Sequence, residues 1–255
     1  IEGKDLSEEF LHHVNHLEVP MLKGVKINEI TVESYGYNLR LSDGKTIKTK
    51  TLLLATGGAP RKLEIPGEMQ YANKGVSYCT TCDAPFFKNN HVIVAGGGNS
   101  AAEAVLDLVP WADKITVVHR SLWRADQILL EKHKELSKLA VHLNTQILRV
   151  LGDEKMTGIE VLDKQTNEVS IIEADGLFIE IGTIPNSYLV KDLVDTNDRG
   201  EVIVDNHQMT SLPGLFAAGD VTDQEEKQII ISAAEGAKAA LAVTKYLNKF
   251  YKGDK

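Results

Sequence analysis

His91-Val92-Ile93-Val94-Ala95-Gly96-Gly97-Gly98-Asn99-Ser100-Ala101-Ala102-Glu103 is the stretch on which the fold turns. An apolar run of strand length passes through three glycines into small residues that read as a helix, Asn99 to Leu108. A second apolar strand, Ile115 to His119, follows and completes a βαβ unit, so the chain is expected to be α/β. Within the turn the spacing is Gly96-x-Gly98-x-x-Ala101. The first glycine permits a tight turn, and the second lets the backbone approach a pyrophosphate. The third small residue allows close packing of helix on strand. At the helix start, Asn99 and Ser100, free N–H groups and the helix dipole favour the anion. The same spacing also occurs as a plain structural turn; strand, helix and second strand together favour the dinucleotide reading.

The residues just past the second strand set the nucleotide. An acid there bonds a ribose 2′-hydroxyl, whereas basic residues accommodate a 2′-phosphate. This chain presents His119-Arg120, with Arg124 four residues on. Two guanidiniums converging on a phosphate match its charge and geometry, which favours NADPH over NADH. The alternative is a solvated arginine pair on an ordinary loop.

Upstream lies Tyr78-Cys79-Thr80-Thr81-Cys82-Asp83-Ala84-Pro85, which holds both cysteines of the chain. Cys79 and Cys82 are close enough to form a small disulfide loop, and in such motifs one thiol usually has a lowered pKa. Asp83 is placed to shuttle the proton that a thiolate must exchange. Two thiols are also half a zinc site, but no second Cys pair exists. His12, His13 and His16 read as a solvated helix face, so no metal is expected.

Further outward, residues 5–17 have helical spacing, and Val25–Glu33, Tyr37–Leu41 and Thr46–Ala55 read as strands. Asp43-Gly44 is a hairpin cue. The run Thr51 to Ala55 resembles a strand entering a buried parallel sheet and ends at Thr56-Gly57-Gly58. Ala59–Gly67 and Gly182–Asn186 are expected linkers. A charged helix is expected over 125–139. Strands are expected near 141–144, 147–151, 158–162, 169–173, 177–181, 201–204 and 215–218, and an Ala-rich amphipathic helix over 229–246. The strand from Leu215 ends at Gly219-Asp220, where an acid suits a polyol hydroxyl or simply caps a turn.

With 255 residues, 43% hydrophobic, the chain is long enough for one large or two smaller cores. A net charge of −8 argues against nucleic acid as a partner. No run of ~18 apolar residues occurs, so no membrane span is expected. Neither is a signal peptide seen, and a cytoplasmic location is expected.

Taken together these residues resemble the low-molecular-weight thioredoxin reductase family, which includes the flavoprotein reductase of alkyl hydroperoxide reduction. The resemblance covers almost the whole chain and keeps its order. It rests on Ala55-Thr56-Gly57, Cys79 to Asp83, Gly96 to Glu103, His119-Arg120 with Arg124-Ala125, Gly214 to Asp220, and Lys227-Gln228-Ile229. It implies two Rossmann-like three-layer (ββα) nucleotide-binding domains. Residues 64–183 would bind NAD(P)H and carry the redox-active disulfide Cys79–Cys82, with Asp83 as its acid. Residues 1–63 and 184–255 would form the FAD domain, with Thr56, Gly57, Gly219, Asp220, Lys227, Gln228 and Ile229 at the flavin. A homodimer is implied too. Two departures stand out. The family pattern places a second arginine after Arg120, where this chain has Ser121. The chain also opens at Ile-Glu-Gly, so the FAD domain is expected to lack its first βαβ unit, as in a processed form or fragment.

The function expected is an FAD-dependent NADPH:protein-disulfide oxidoreductase. Electrons would pass through FAD to Cys79–Cys82 and on to thioredoxin or a glutaredoxin-like dithiol protein. Because nucleotide fingerprint and cysteines share the central unit, nicotinamide and disulfide would take turns at the flavin by rotation of that unit on its linkers. One alternative keeps flavin and dithiol but takes NADH or a non-nicotinamide donor. Another, of a different class, is a non-catalytic dinucleotide-binding or redox-sensing module.

Overall fold

The computed structural model describes residues 3–250. They divide into two compact units, one made of 3–57 and 185–250, the other of 58–184.

The first unit opens with helix α1 (Gly3–His16), then an antiparallel meander of β1 (Ile27–Glu33), β2 (Gly36–Leu41) and β3 (Thr46–Thr49). The β2–β3 turn works as the sequence suggests. Gly44 takes φ +83°, and Asp43 accepts the Lys45 N–H at 3.1 Å. Strand β4 (Leu52–Leu54) follows. The expected single run 46–55 is broken at Lys50-Thr51, because β3 pairs with the meander and β4 pairs elsewhere.

The second unit is a three-layer sandwich. Its strands are β5 (Gly58–Pro60), β6 (Val76–Ser77), β7 (His91–Ala95), β8 (Lys114–Val118), β9 (Leu139–His142), β10 (Thr145–Gly152), β11 (Met156–Asp163), β12 (Val169–Glu173), β13 (Gly176–Ile179) and β14 (Thr183–Pro185). Helices α2 (Thr80–Asp83), α3 (Asn99–Leu108) and α4 (Gln127–His133) lie between them. A parallel sheet of order β6-β13-β7-β8-β9 forms the middle layer. Period-two alternation sends Val92 and Val94 to one face with Ala101, Val105 and Leu108 of α3, and Ile93 and Ala95 to the other. There they meet Ile147, Val150, Ile159 and Val161 of the antiparallel sheet β10-β11-β12. Both faces are dry, and each buried Val, Ile or Leu contributes roughly 1.5–3 kcal/mol.

The chain then returns to the first unit with β15 (Leu215–Ala217), parallel to β4, and helix α5 (Ile229–Phe250). Tyr37, Leu54, Val202, Leu215 and Ala217 centre its core.

Four expectations need correction. The first linker begins the second unit rather than joining the two. The Arg61 N–H donates to Gly182 O, and Leu63 and Ile65 pack on the β7–β13 core, so the division falls at 57/58 rather than 63/64. Both supposed linkers contribute a strand, β5 pairing with β14. The helix expected over 125–139 spans only Gln127–His133, because Leu139 is claimed by pairing with Ile115 of β8. Residues 201–204 form no strand; Val202 makes isolated bridges to Thr196 and Thr222.

Candidate active site

Strands β7, β8 and β13 all end at one edge of the parallel sheet, and a cavity of about 820 Å³ opens there. In open α/β sheets ligands bind at this carboxyl edge. Gly96, Gly97, Gly98 and Ser100 line the cavity from the fingerprint, and His119, Arg120 and Arg124 from the end of β8.

Each glycine has its own reason. A Cβ on Gly96 would strike the Glu180 carbonyl and the Ala101 side chain, and one on Gly97 would strike the His119 ring. A Cβ on Gly98 would meet nothing; it would stand in open space at the mouth of α3. Gly98 therefore keeps clear a surface that the fold itself does not fill. Ala101 is fully buried under the turn. Asn99 does not line the cavity: its side chain exchanges hydrogen bonds with Asp126, at 2.8 and 2.9 Å. The Arg124 N–H donates to Gly97 O at 2.7 Å and ties the basic segment to the turn.

The basic end is richer than the sequence suggested. Burial, helped by Arg124 and Arg120, pushes His119 below the ordinary imidazole range, so it is neutral at pH 7. Its Nε2 shares a 3.1 Å hydrogen bond with the Ser121 hydroxyl. Lys164, on the turn after β11, also lines the cavity and donates to Arg120 O at 3.3 Å. It supplies a third cation beside Arg120 and Arg124. The contact spans 44 residues, which is why no local pattern revealed it.

Cys79 and Cys82 form a disulfide in this same unit. Cys79 caps α2, its sulfur accepting the Cys82 N–H at 3.3 Å. Ser77 organises the loop: its hydroxyl donates to Asp83 Oδ2 at 2.7 Å and accepts the Cys79 N–H at 3.1 Å. Asp83 is thus fixed behind the disulfide. Neither cysteine lines the cavity; Thr80, between them, reaches its wall at Glu180 through a 2.6 Å hydrogen bond.

A family model described as pyridine nucleotide-disulphide oxidoreductase matches residues 4–238. The chain belongs to the pyridine nucleotide-disulphide oxidoreductase family. Within that family it is thioredoxin reductase-like. It is 39% identical over 246 residues to a subunit of alkyl hydroperoxide reductase in Staphylococcus aureus (strain Mu50 / ATCC 700699), an alignment covering 96% of this chain and 48% of that protein. The chain therefore spans about half the length of the curated relatives it matches. Among solved structures it resembles thioredoxin reductase from Streptococcus pyogenes MGAS5005, with a TM-score of 0.91 and 32% identity, over 98% of this chain and 82% of that one. Thioredoxin reductase from Giardia duodenalis is similar, with a TM-score of 0.90 and 29% identity, over 97% and 82%.

In this member of the family the other candidate residues lie in the first unit. Thr56 donates its hydroxyl to Asn186 O at 2.7 Å, and Gly57 (φ +67°) accepts the Asn186 N–H at 2.9 Å. Gly219 (φ +79°) donates its N–H to buried Glu235 at 2.7 Å, and Asp220 accepts from Ser232 of α5 at 3.0 Å. Gln228 O receives the Ser232 N–H, so Gly219-Asp220 sits against the first turns of α5, where Ile229 is exposed. Lys227 points inward, donating to Thr222 O at 2.7 Å and pairing with buried Glu201 at 3.1 Å. Its ammonium shapes the loop.

Two acids of the second unit carried no sequence signal. Glu68, 1% exposed, accepts N–H groups from Leu63, Glu64 and Ile65 and the Tyr78 hydroxyl, the last at 2.8 Å. Burial and this bond push the Tyr78 phenol well above its usual range. Glu68 thereby ties the cavity-lining stretch 63–65 to the residue before Cys79. The other is Glu180.

Proposed function

We propose that the chain belongs to an FAD-dependent NADPH:protein-disulfide oxidoreductase, with Cys79–Cys82 as the bond reduced and a thioredoxin-like dithiol protein as acceptor. The observation that carries this reading is the placing of a cavity at the glycine-rich turn, lined by Arg120, Arg124 and Lys164, and a Cys-x-x-Cys disulfide in one compact unit. Gly98 leaves room for a pyrophosphate at the start of α3, and Ser100 lines the same wall. Arg120, Arg124 and Lys164 offer three cations to a 2′-phosphate, with neutral His119 beneath them. Lys164 answers the missing second arginine at Ser121.

For the flavin, the fit rests on the donor chemistry of the other unit. Asp220, half-buried and held by Ser232, can accept a polyol hydroxyl, and the left-handed Gly219 holds the strand end open beside it. Thr56, Gly57, Gln228 and Ile229 are the remaining candidates there, and Lys227 supports the loop from within. FAD, when bound, would supply a two-electron relay between nicotinamide and sulfur. At the disulfide itself, two electrons and two protons break the S–S bond and leave two thiols. Asp83, fixed by Ser77, is placed to hold and return one of those protons. The dithiol then reduces the acceptor's disulfide by exchange through a mixed disulfide.

The experiment is flavin bleaching by NADPH and by NADH in flavin-loaded protein. Arg120→Ala should weaken the response to NADPH selectively, by about tenfold or more for a lost charge-assisted phosphate contact. Equal loss with both nucleotides would contradict the 2′-phosphate role.

A further inference from the structure

Glu180 directly follows β13 on the wall of the cavity, where an anion contributes nothing to phosphate binding. Its Oε1 accepts a 2.6 Å hydrogen bond from the Thr80 hydroxyl. Thr80 is 4% exposed and is the first residue of α2, with Cys79 before it and Cys82 two residues on. Other side-chain hydrogen bonds of this segment, from Ser77 to Asp83 and from the Cys79 N–H to Ser77, stay within a few residues. The Thr80–Glu180 contact spans 100 residues and fastens the disulfide segment to the parallel sheet. One carboxylate thus touches both the cavity wall and the helix that closes the disulfide.

We propose that Glu180 is a positioning residue: through Thr80 it holds the oxidised Cys79–Cys82 segment against the cavity wall, so that reduction of the disulfide and filling of the cavity by NADP(H) depend on one another. The second half rests on the nucleotide reading of the cavity; the first does not. Reduction adds two electrons and two protons, breaks the S–S bond and frees α2 of its tether, which loosens the Thr80 contact. Burial raises the Glu180 carboxyl above its usual range, opposed by Thr80 and reinforced by Asp107 and Glu103 of α3, so this acid depends strongly on its one hydroxyl donor. Coupling between two sites is reciprocal: whatever nucleotide does to the disulfide equilibrium, the disulfide state does to nucleotide affinity.

The test is the redox equilibrium of Cys79–Cys82 in the full chain against a dithiothreitol buffer, read by alkylation and mass spectrometry, with and without saturating NADP⁺. Thr80→Val keeps the shape and removes the donor; Thr80→Ser keeps the donor. Thr80→Val should be easier to reduce by at least about threefold, which is about 14 mV for a two-electron couple. Thr80→Ser should match the parent. Glu180→Ala should shift the equilibrium as Thr80→Val does, and the double variant no further. NADP⁺ should move the parent and Thr80→Ser by a similar factor and leave Thr80→Val unmoved. A Thr80→Val protein that folds and titrates like the parent overturns the positioning role. A shift with NADP⁺ that survives Thr80→Val overturns the coupling. Calorimetry showing no NADP⁺ binding by the parent would reject the cavity reading and the coupling with it, while the nucleotide-free comparison still decides the positioning role.

Discussion

Gly98→Ala separates binding from folding, because the structure gives this one methyl group no neighbour within the protein. A Cβ at Gly98 has open space around it, and its φ of −100° is one that alanine adopts without strain. The folding cost is limited to the poorer helix-capping tendency of alanine, about 0.5–1 kcal/mol. Over a chain of this size that lowers Tm by only about 1–4 °C. A pyrophosphate at the start of α3 would meet the methyl directly. Losing one charge-assisted backbone contact costs about 1.5–3 kcal/mol, so NADPH affinity should fall roughly 10- to 150-fold. Gly97→Ala is the contrast: its methyl would collide with the His119 ring, and it should lower Tm strongly, with the loss of binding secondary to that. Calorimetric titration with NADPH, beside a thermal melt, reads both. A Gly98→Ala protein that melts normally and binds NADPH within twofold of the parent would refute the idea that the open space is a phosphate cradle.

The same geometry sets other outcomes. Lys164→Ala should reduce affinity for NADPH but not NADH, by several-fold less than Arg120→Ala since an ammonium meets a phosphate as a point charge where a guanidinium can bind it bidentately, measured by the same titration. Glu68→Gln places an amide donor against the N–H groups of 63–65 and should destabilise the protein by about 2–4 kcal/mol, seen as a lower denaturation midpoint. Glu201 is held below the usual carboxylate range: burial alone would raise it, but the Asn197 and Lys227 hydrogen bonds and nearby cations win. Its contribution is therefore present above about pH 4.5 and lost as pH falls through the lowered value, so the Tm gap between parent and Glu201→Gln should hold above about pH 4.5 and narrow steadily as the pH is taken below it.

The local sequence carried the central βαβ unit well, because β7, α3 and β8 each announce themselves within ten residues. Apolar runs set the strands, and glycines with an alanine at the right spacing set the turn. The Asp43-Gly44 hairpin and α5 were legible for the same reason. What failed was short or non-local. The two-residue β6 and the four-residue α2 are too brief to have a period. Strands β5 and β14 contain Pro60 and Pro185, which argue for linkers until each strand finds the other across 120 or more residues. The helix after Asp126 stops early because parallel pairing with β8 outweighs helical propensity beyond residue 138. At the site, Cys79, Cys82, Asp83, Gly96, Gly98, His119, Arg120 and Arg124 were all chosen by motif. Lys164, Glu68 and Glu180 were not, since each acts through a partner far along the chain or through burial. Asn99 shows what a motif leaves out, since its side chain is engaged with Asp126 across 27 residues.

The most direct test of electron delivery to the disulfide is a thiol count at Cys79 and Cys82. Flavin-loaded protein is given one equivalent of NADPH without oxygen, quenched with an alkylating agent and digested. Both cysteines should carry the label as NADPH is consumed, and neither should without nucleotide. NADPH oxidised while Cys79–Cys82 stays a disulfide would contradict the proposed electron path.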